Sequence, residues 1–227
     1  MSGGRVVAGG GASLPLGWTD TDVGAVGAAG AVTYTSGTFT VLGSGNDVWG
    51  TADAFNYVYE PLSGDGTIVA RVATISDEAN WVKAGVMIRG SLSDSSAQAF
   101  MLVSHAKGVA FQRRVSDDNT SVSTAGTLST APRWVKLVRA GNLITGYESG
   151  DGSSWTVVGS DNFTMGQDVL VGLAVSSHLA GALSTATFDN VSVTGGAGVT
   201  TNQPPVVSLT APASGAVFTA PATFSMA

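Results

Sequence analysis

Cysteine is absent from all 227 residues, which excludes disulfide staples and thiolate metal sites alike. Histidine is nearly absent: with only His105 and His178 available, a zinc centre is not expected. Charge is scarce as well. Asp, Glu, Lys and Arg together make up 11% of the chain, against about 25% in an ordinary soluble domain. Helix bundles and coiled coils need such residues on their wet faces, so both are disfavoured. Positive charge is the scarcer sign, with 10 Lys and Arg against 16 acids and a net charge of −6. Such a surface repels phosphate backbones, and nucleic acid is not an expected partner. Long apolar runs are missing too. The stretch Val169 to Val175 falls far short of the roughly 20 residues that span a bilayer, so membrane insertion is not expected. Residues 1–13 lack the apolar segment of a signal peptide, so any export signal is read as removed or replaced.

What is present points to strands. Hydrophobic residues at 44% exclude a disordered chain, and 31 glycines supply many turns. Only Glu60, Glu78 and Glu148 are glutamates; the other 13 of the 16 acids are aspartates, which favour turns and oxygen-ligated cation sites over helices. From Leu14 to Thr194, short runs rich in Val, Thr, Phe, Tyr and Trp alternate with Gly, Asp, Asn and Ser clusters. Twelve candidate strands between Ala31 and Thr194 predict an all-β chain folded as a two-sheet sandwich or jelly roll. Residues 1–13 read as a flexible N-terminus, 14–194 as the jelly roll and 195–203 as a linker. Residues 204–227, with Pro204-Pro205-Val206-Val207-Ser208-Leu209 and Ala216-Val217-Phe218, resemble the opening strands of a truncated bacterial immunoglobulin-like domain.

Alternation assigns side chains to faces. In Lys83-Ala84-Gly85-Val86-Met87-Ile88-Arg89, the apolar set Ala84, Val86 and Ile88 opposes Lys83 and Arg89; in Val109 to Arg114, Val109 and Phe111 oppose Gln112 and Arg114. If these strands are neighbours, Lys83, Arg89, Gln112 and Arg114 form an outward polar shelf, with Arg71 as a fifth member. Guanidinium and amide groups donate bidentate hydrogen bonds to sugar hydroxyls or carboxylates. The competing reading is a solvated sheet face neutralised by nearby acids. Trp49, Tyr57, Tyr59 and Trp81 are candidate stacking platforms for a sugar ring. Trp134 and Trp155, inside strands, read as core. His178 is read as facing the shelf or as a satisfied structural histidine.

Asp20 and Asp22 near the domain's start and Asp189 in its last strand could hold a structural calcium ion where first and last strands meet; turn or capping duty is the alternative. No nucleophile elbow, phosphate-binding loop or zinc-protease helix motif occurs. Glu60 and Glu148 are the strand-borne glutamates, and nothing in their spacing pairs them across a cleft as glycoside hydrolysis requires. Ser149 to Trp155 resembles an aspartate-box hairpin but is shorter and occurs once, which reads as a structural turn.

Four stretches in order carry a wider resemblance: Trp81 to Arg89, Gly108 to Arg114, Ser149 to Trp155, and Val171 to Val191 with Val-Gly-Leu-Ala-Val-Ser-Ser-His and Thr-Phe-Asp-Asn-Val. Together they resemble the concanavalin-like, laminin-G-like jelly-roll modules of secreted bacterial multidomain proteins. The resemblance implies an antiparallel two-sheet jelly-roll sandwich, a secreted or cell-surface module without catalytic activity that holds a polysaccharide beside a partner domain. It also implies a calcium-ligating role for Asp189. A structural spacer or adhesion domain is the alternative, and a glycoside hydrolase or polysaccharide lyase a third reading.

Overall fold

The computed structural model describes residues 13–195, so the linker and immunoglobulin-like readings lie outside the described residues. Among the described residues sixteen strands form: β1 (Thr19–Val23), β2 (Ala31–Thr35), β3 (Thr38–Gly45), β4 (Val48–Trp49), β5 (Ala52–Asp53), β6 (Phe55–Ser63), β7 (Gly66–Ile75) and β8 (Lys83–Arg89), then β9 (Gln98–Ser104), β10 (Val109–Arg114), β11 (Val122–Ala125), β12 (Arg133–Ala140), β13 (Leu143–Ser149), β14 (Thr156–Asn162), β15 (Asp168–Ser176) and β16 (Leu179–Gly195). Sheet I is seven-stranded in the order β1-β6-β15-β8-β9-β10-β11, and sheet II is seven-stranded in the order β14-β13-β12-β7-β16-β3-β2. Every pairing is antiparallel. This is the jelly-roll sandwich. Among the described residues no helix is long and apolar enough to cross a membrane.

The alternation read from sequence places the core. Ala84, Val86 and Ile88 of β8, Ala99, Met101 and Val103 of β9, and Val171, Leu173 and Val175 of β15 meet Ile68, Ala70 and Val72 of β7 and Val135 and Leu137 of β12 between the sheets. Burying each Val, Leu, Ile or Phe contributes about 1.5–3 kcal/mol. The two sheets differ on their other faces. In β7 burial alternates, so sheet II turns one face to solvent, whereas every residue of β8 and β9 is buried.

Sheet I is covered because a second apolar cluster lies on its outer face. Phe55, Tyr57, Met87, Phe100, Leu102 and Ala110 are capped by Val23 of β1 and Val48 of β4. The cap is a flap, residues 45–54, folded over the sheet by the small β4–β5 ribbon. Asp53 N–H donates to Asp94 O at 2.9 Å, and Ser121 N–H donates to Gly50 O at 2.8 Å, tying the flap to two neighbouring loops.

Candidate functional site

The four shelf residues do share one face, as alternation predicts. β8 pairs with β9 and β9 with β10, which sets Lys83, Arg89, Gln112 and Arg114 on the outer side of sheet I. They are not open to solvent: relative exposure is 2% for Lys83, 0% for Arg89, 3% for Gln112 and 0% for Arg114. The flap accounts for this difference. Neither β4 nor β5 reads as a strand in the sequence, so a face that looks solvated is roofed over. Arg71 lies elsewhere, on sheet II, paired with Asp189.

The shelf divides into a sealed half and an open half. In the sealed half Asp53 of β5 faces both arginines. Arg89 Nη1 donates to Asp53 Oδ2 at 3.2 Å, and Arg114 donates to Asp53 through Nη1 at 2.9 Å and Nη2 at 2.8 Å. Arg114 also donates to Asn119 O at 2.9 Å, Ser96 O at 3.0 Å and Gly50 O at 3.1 Å. Arg89 donates to the carbonyls of Ser91 and Ser93. Burial pulls the Arg89 pKa below its ordinary value, with Asp53 opposing the shift. These arginines have no route to a ligand; they fasten loops. Tyr57 is likewise fully buried, its hydroxyl donating to Met87 O at 3.2 Å and its ring stacked 5.0 Å from Tyr59. Burial pushes the Tyr57 hydroxyl far above its ordinary pKa.

The open half is a pocket of about 320 Å³. Trp49, on the flap and 41% exposed, and Trp81, in the turn before β8, flank the Lys83 ammonium, whose nitrogen lies 5.8 Å and 5.6 Å from the two indole centroids. Lys83 pairs with Asp47 and donates to Gln112 Oε1 at 2.8 Å and Val48 O at 3.3 Å. Its pKa falls below the ordinary lysine value because burial disfavours the charge, with Asp47 opposing. Ser123 of β11 and His178 complete the wall. His178 Nδ1 lies 3.4 Å from Asp47 Oδ2 but is not aligned for a hydrogen bond. His178 occupies the left-handed region at φ 60°, an uncommon place for a residue other than glycine, in the tight turn between β15 and β16. Asp47, Ser123 and the precise reach of His178 escape sequence reading, because all three sit on a flap, an edge strand or a turn.

The remaining sequence candidates scatter. Asn56 Nδ2 donates to Asp20 Oδ1 at 3.0 Å and Asp22 Oδ1 at 3.2 Å, and Gly30 N–H donates to Asp22 Oδ2 at 3.0 Å, so both acids tie β1 to its neighbours. Burial raises the Asp20 carboxyl above its usual pKa, with Asn56 opposing. Asp189 is held by Arg71, whose hydrogen bonds lower its pKa. Among the described residues no three His, Asp or Glu side chains converge as a cation site would require, so Asp20, Asp22 and Asp189 are not brought together. Trp134 and Trp155 are half-buried on the solvent side of sheet II instead of in the core. Trp155 lies against Lys136, whose nitrogen is 4.1 Å from the ring centroid.

Comparison with known proteins supports the fold. No family model matches the chain. No curated protein matches its sequence. Among solved structures, a functionally unknown protein from Saccharomyces cerevisiae is similar at 18% identity and TM-score 0.60, over 74% of this chain and 93% of that one. The carbohydrate-binding module CBM66 from Bacillus subtilis is similar at 18% identity and TM-score 0.50, over 81% of this chain and 99% of the other. The GH43B protein of a Bacteroides ovatus xyloglucan locus is similar at 14% identity and TM-score 0.54, over 78% of this chain but only 37% of its own. These likenesses establish the jelly-roll class and place no function on the pocket.

Proposed function

We propose that the chain is a non-catalytic carbohydrate-binding module and that the Trp49–Trp81 pocket receives a sugar ring of a polysaccharide. The observation that carries this reading is the pair of indoles standing over a polar floor. Apolar C–H faces of a pyranose stack on indoles, while hydroxyls seek the Gln112 amide, Ser123 hydroxyl and His178 ring. The pocket's charges balance, with Lys83 against Asp47, which suits a neutral sugar better than a charged one. Asp47 is committed to Lys83, so it is poorly placed as a catalytic acid. A small pocket supports affinities in the micromolar to millimolar range, roughly −8 to −4 kcal/mol. Membership of a secreted multidomain protein belongs to the same proposal.

One observation favours a second reading, a structural spacer or adhesion domain: Lys83 and Arg89, expected to be free for a ligand, are both engaged by acids of the chain itself. A glycan array followed by affinity gel electrophoresis, with and without chelator, separates the two. Trp49→Ala and Trp81→Ala should each weaken retention by about tenfold, or roughly 1.4 kcal/mol. A wild-type protein retained by no glycan leaves the spacer reading standing.

A further inference from the structure

The core-facing register of β6 is interrupted by two polar residues, Asn56, which is partnered by Asp20 and Asp22, and Glu60, which is not. Val58 and Leu62 point between the sheets and are buried in the core, and Glu60 stands between them in the same register. A carboxylate at a core-facing position costs free energy unless something pairs with it. Among the described residues nothing offsets its burial: no hydrogen bond and no opposite charge acts on the Glu60 carboxyl, which burial pushes above its ordinary pKa. A local departure from an otherwise consistent pattern is where a functional site is expected.

Glu60 does not face a sealed interior. It lines a groove of about 720 Å³ at the sandwich edge, where β6 of sheet I lies opposite β2, β3 and β16 of sheet II. Trp18, Tyr34 and Phe39 form its apolar wall, with Phe39 5.1 Å from the Trp18 ring centroid and 4.7 Å from that of Tyr34. Asp189 also borders the groove, but its carboxylate is neutralised by Arg71. The groove therefore presents one uncompensated negative charge beside aromatic rings, and it shares no lining residue with the indole pocket.

We infer that this groove is a second ligand site, and that it takes an organic ammonium group seated on the Glu60 carboxylate with its apolar flank against Trp18 and Tyr34. A neutral hydroxyl would only hydrogen-bond to the carboxylate. An ammonium also cancels the charge that burial disfavours and is attracted by the faces of the rings. Cations of this kind gain from a partly desolvated site because the attraction is less screened there.

The test is a titration of the chain, labelled with ¹⁵N at its tryptophan indoles, with glucosamine and with its neutral counterpart N-acetylglucosamine. Glucosamine should shift the Trp18 indole signal saturably, and N-acetylglucosamine should bind at least about tenfold more weakly. The Trp49 and Trp81 signals report the other pocket, so failure there and failure here are told apart. Glu60→Gln preserves shape and should abolish the Trp18 shift. On the unaltered chain, tetramethylammonium chloride should move the same signal, while sodium chloride at equal ionic strength should not. An unmoved Trp18 signal, equal response to both sugars, equal response to both salts, or wild-type binding by Glu60→Gln each overturns the inference.

Discussion

Replacing Asp53 by alanine tests whether the flap is fastened electrostatically. The Asp53 side chain and both arginine side chains that it faces are 0% exposed, and the acid receives three of their hydrogen bonds, at 2.8, 2.9 and 3.2 Å. Its removal leaves two guanidinium charges in a dry site. Backbone carbonyls still accept their hydrogen bonds but cannot cancel charge. Breaking a buried pair by removing one partner costs about 3–5 kcal/mol. That is a large share of the roughly 5–15 kcal/mol that holds a domain together. A domain of this size should lose about 6–20 °C in Tm. Urea unfolding followed by fluorescence gives the free energy, and Asp47→Ala serves as the comparison. Asp47 is 24% exposed and its removal leaves one cation unpaired, the Lys83 ammonium, which can shed its proton as a guanidinium cannot, so its loss should cost less than that of Asp53. Replacing Asp53, Arg89 and Arg114 together by Leu, Met and Met removes the buried charge but leaves the carbonyls of Gly50, Ser91, Ser93, Ser96 and Asn119 without these donors, so it should not restore wild-type stability. An Asp53→Ala protein within 1 kcal/mol of wild type would refute the reasoning.

Three further outcomes follow from the same geometry. Gly152→Ala should destabilise by about 1–2 kcal/mol or more in thermal melts, because φ is +77° and a Cβ there would sit 2.7 Å from the Trp134 ring. The Asp151 carboxylate accepts from the N–H groups of Ser154 at 2.7 Å and Ser153 at 2.8 Å, which hold its pKa well below the usual aspartate value. The folded pKa is depressed, so this turn's contribution is complete above the unfolded value of about 3.9 and fades only as pH falls below it; carboxyl ¹³C titration should show Asp151 ionised after the other exposed aspartates have protonated. Gln112→Leu should weaken glycan retention without lowering Tm by more than a few degrees, since it removes an amide donor from the pocket, whereas an equally large Tm loss would assign Gln112 to packing.

The sandwich was legible because its strands carry a binary pattern. All twelve strands expected from sequence form, and Ala84, Val86, Ile88, Val109 and Phe111 point inward as alternation requires. The hairpin turns at Gly141 and Gly152 adopt positive φ, as their sequences demand. Four strands escaped, and the site hangs on three of them. β1 is Thr-Asp-Thr-Asp-Val, β11 is an exposed edge, and β4 and β5 are two residues each. β1 and β11 lack an apolar alternation, and β4 and β5 are too short for periodicity to register. Alternation thus places the Lys83 to Arg114 shelf on the correct face but does not reveal its burial beneath the flap. Binary pattern distinguishes the two sides of a sheet; it does not reveal that a loop distant in sequence covers the polar side. A signal was nevertheless present: Met87, Phe100, Leu102 and Ala110 are apolar on that same side, which a solvated face would not favour.

That mixed face explains how a chain with so little charge organises a loop-built pocket. Arg114 gathers the carbonyl oxygens of Gly50, Ser96 and Asn119 and the carboxylate of Asp53 around one guanidinium, drawing three separate loops to a single positive centre. Oxygen ligands from backbone and carboxylate converging on one cation are what a bound calcium ion collects; here the cation is part of the chain. Trp49 precedes Gly50 on the flap, so the indole that walls the pocket inherits its position from this cluster. Lys83 repeats the device at the pocket floor, holding Asp47, Gln112 and the Val48 carbonyl together. Under the proposed carbohydrate-binding reading, the charged residues read from sequence as ligand contacts therefore act chiefly at one remove: Arg89 and Arg114 fix the flap and Lys83 fixes the floor, leaving the Gln112 amide and the indoles for a sugar.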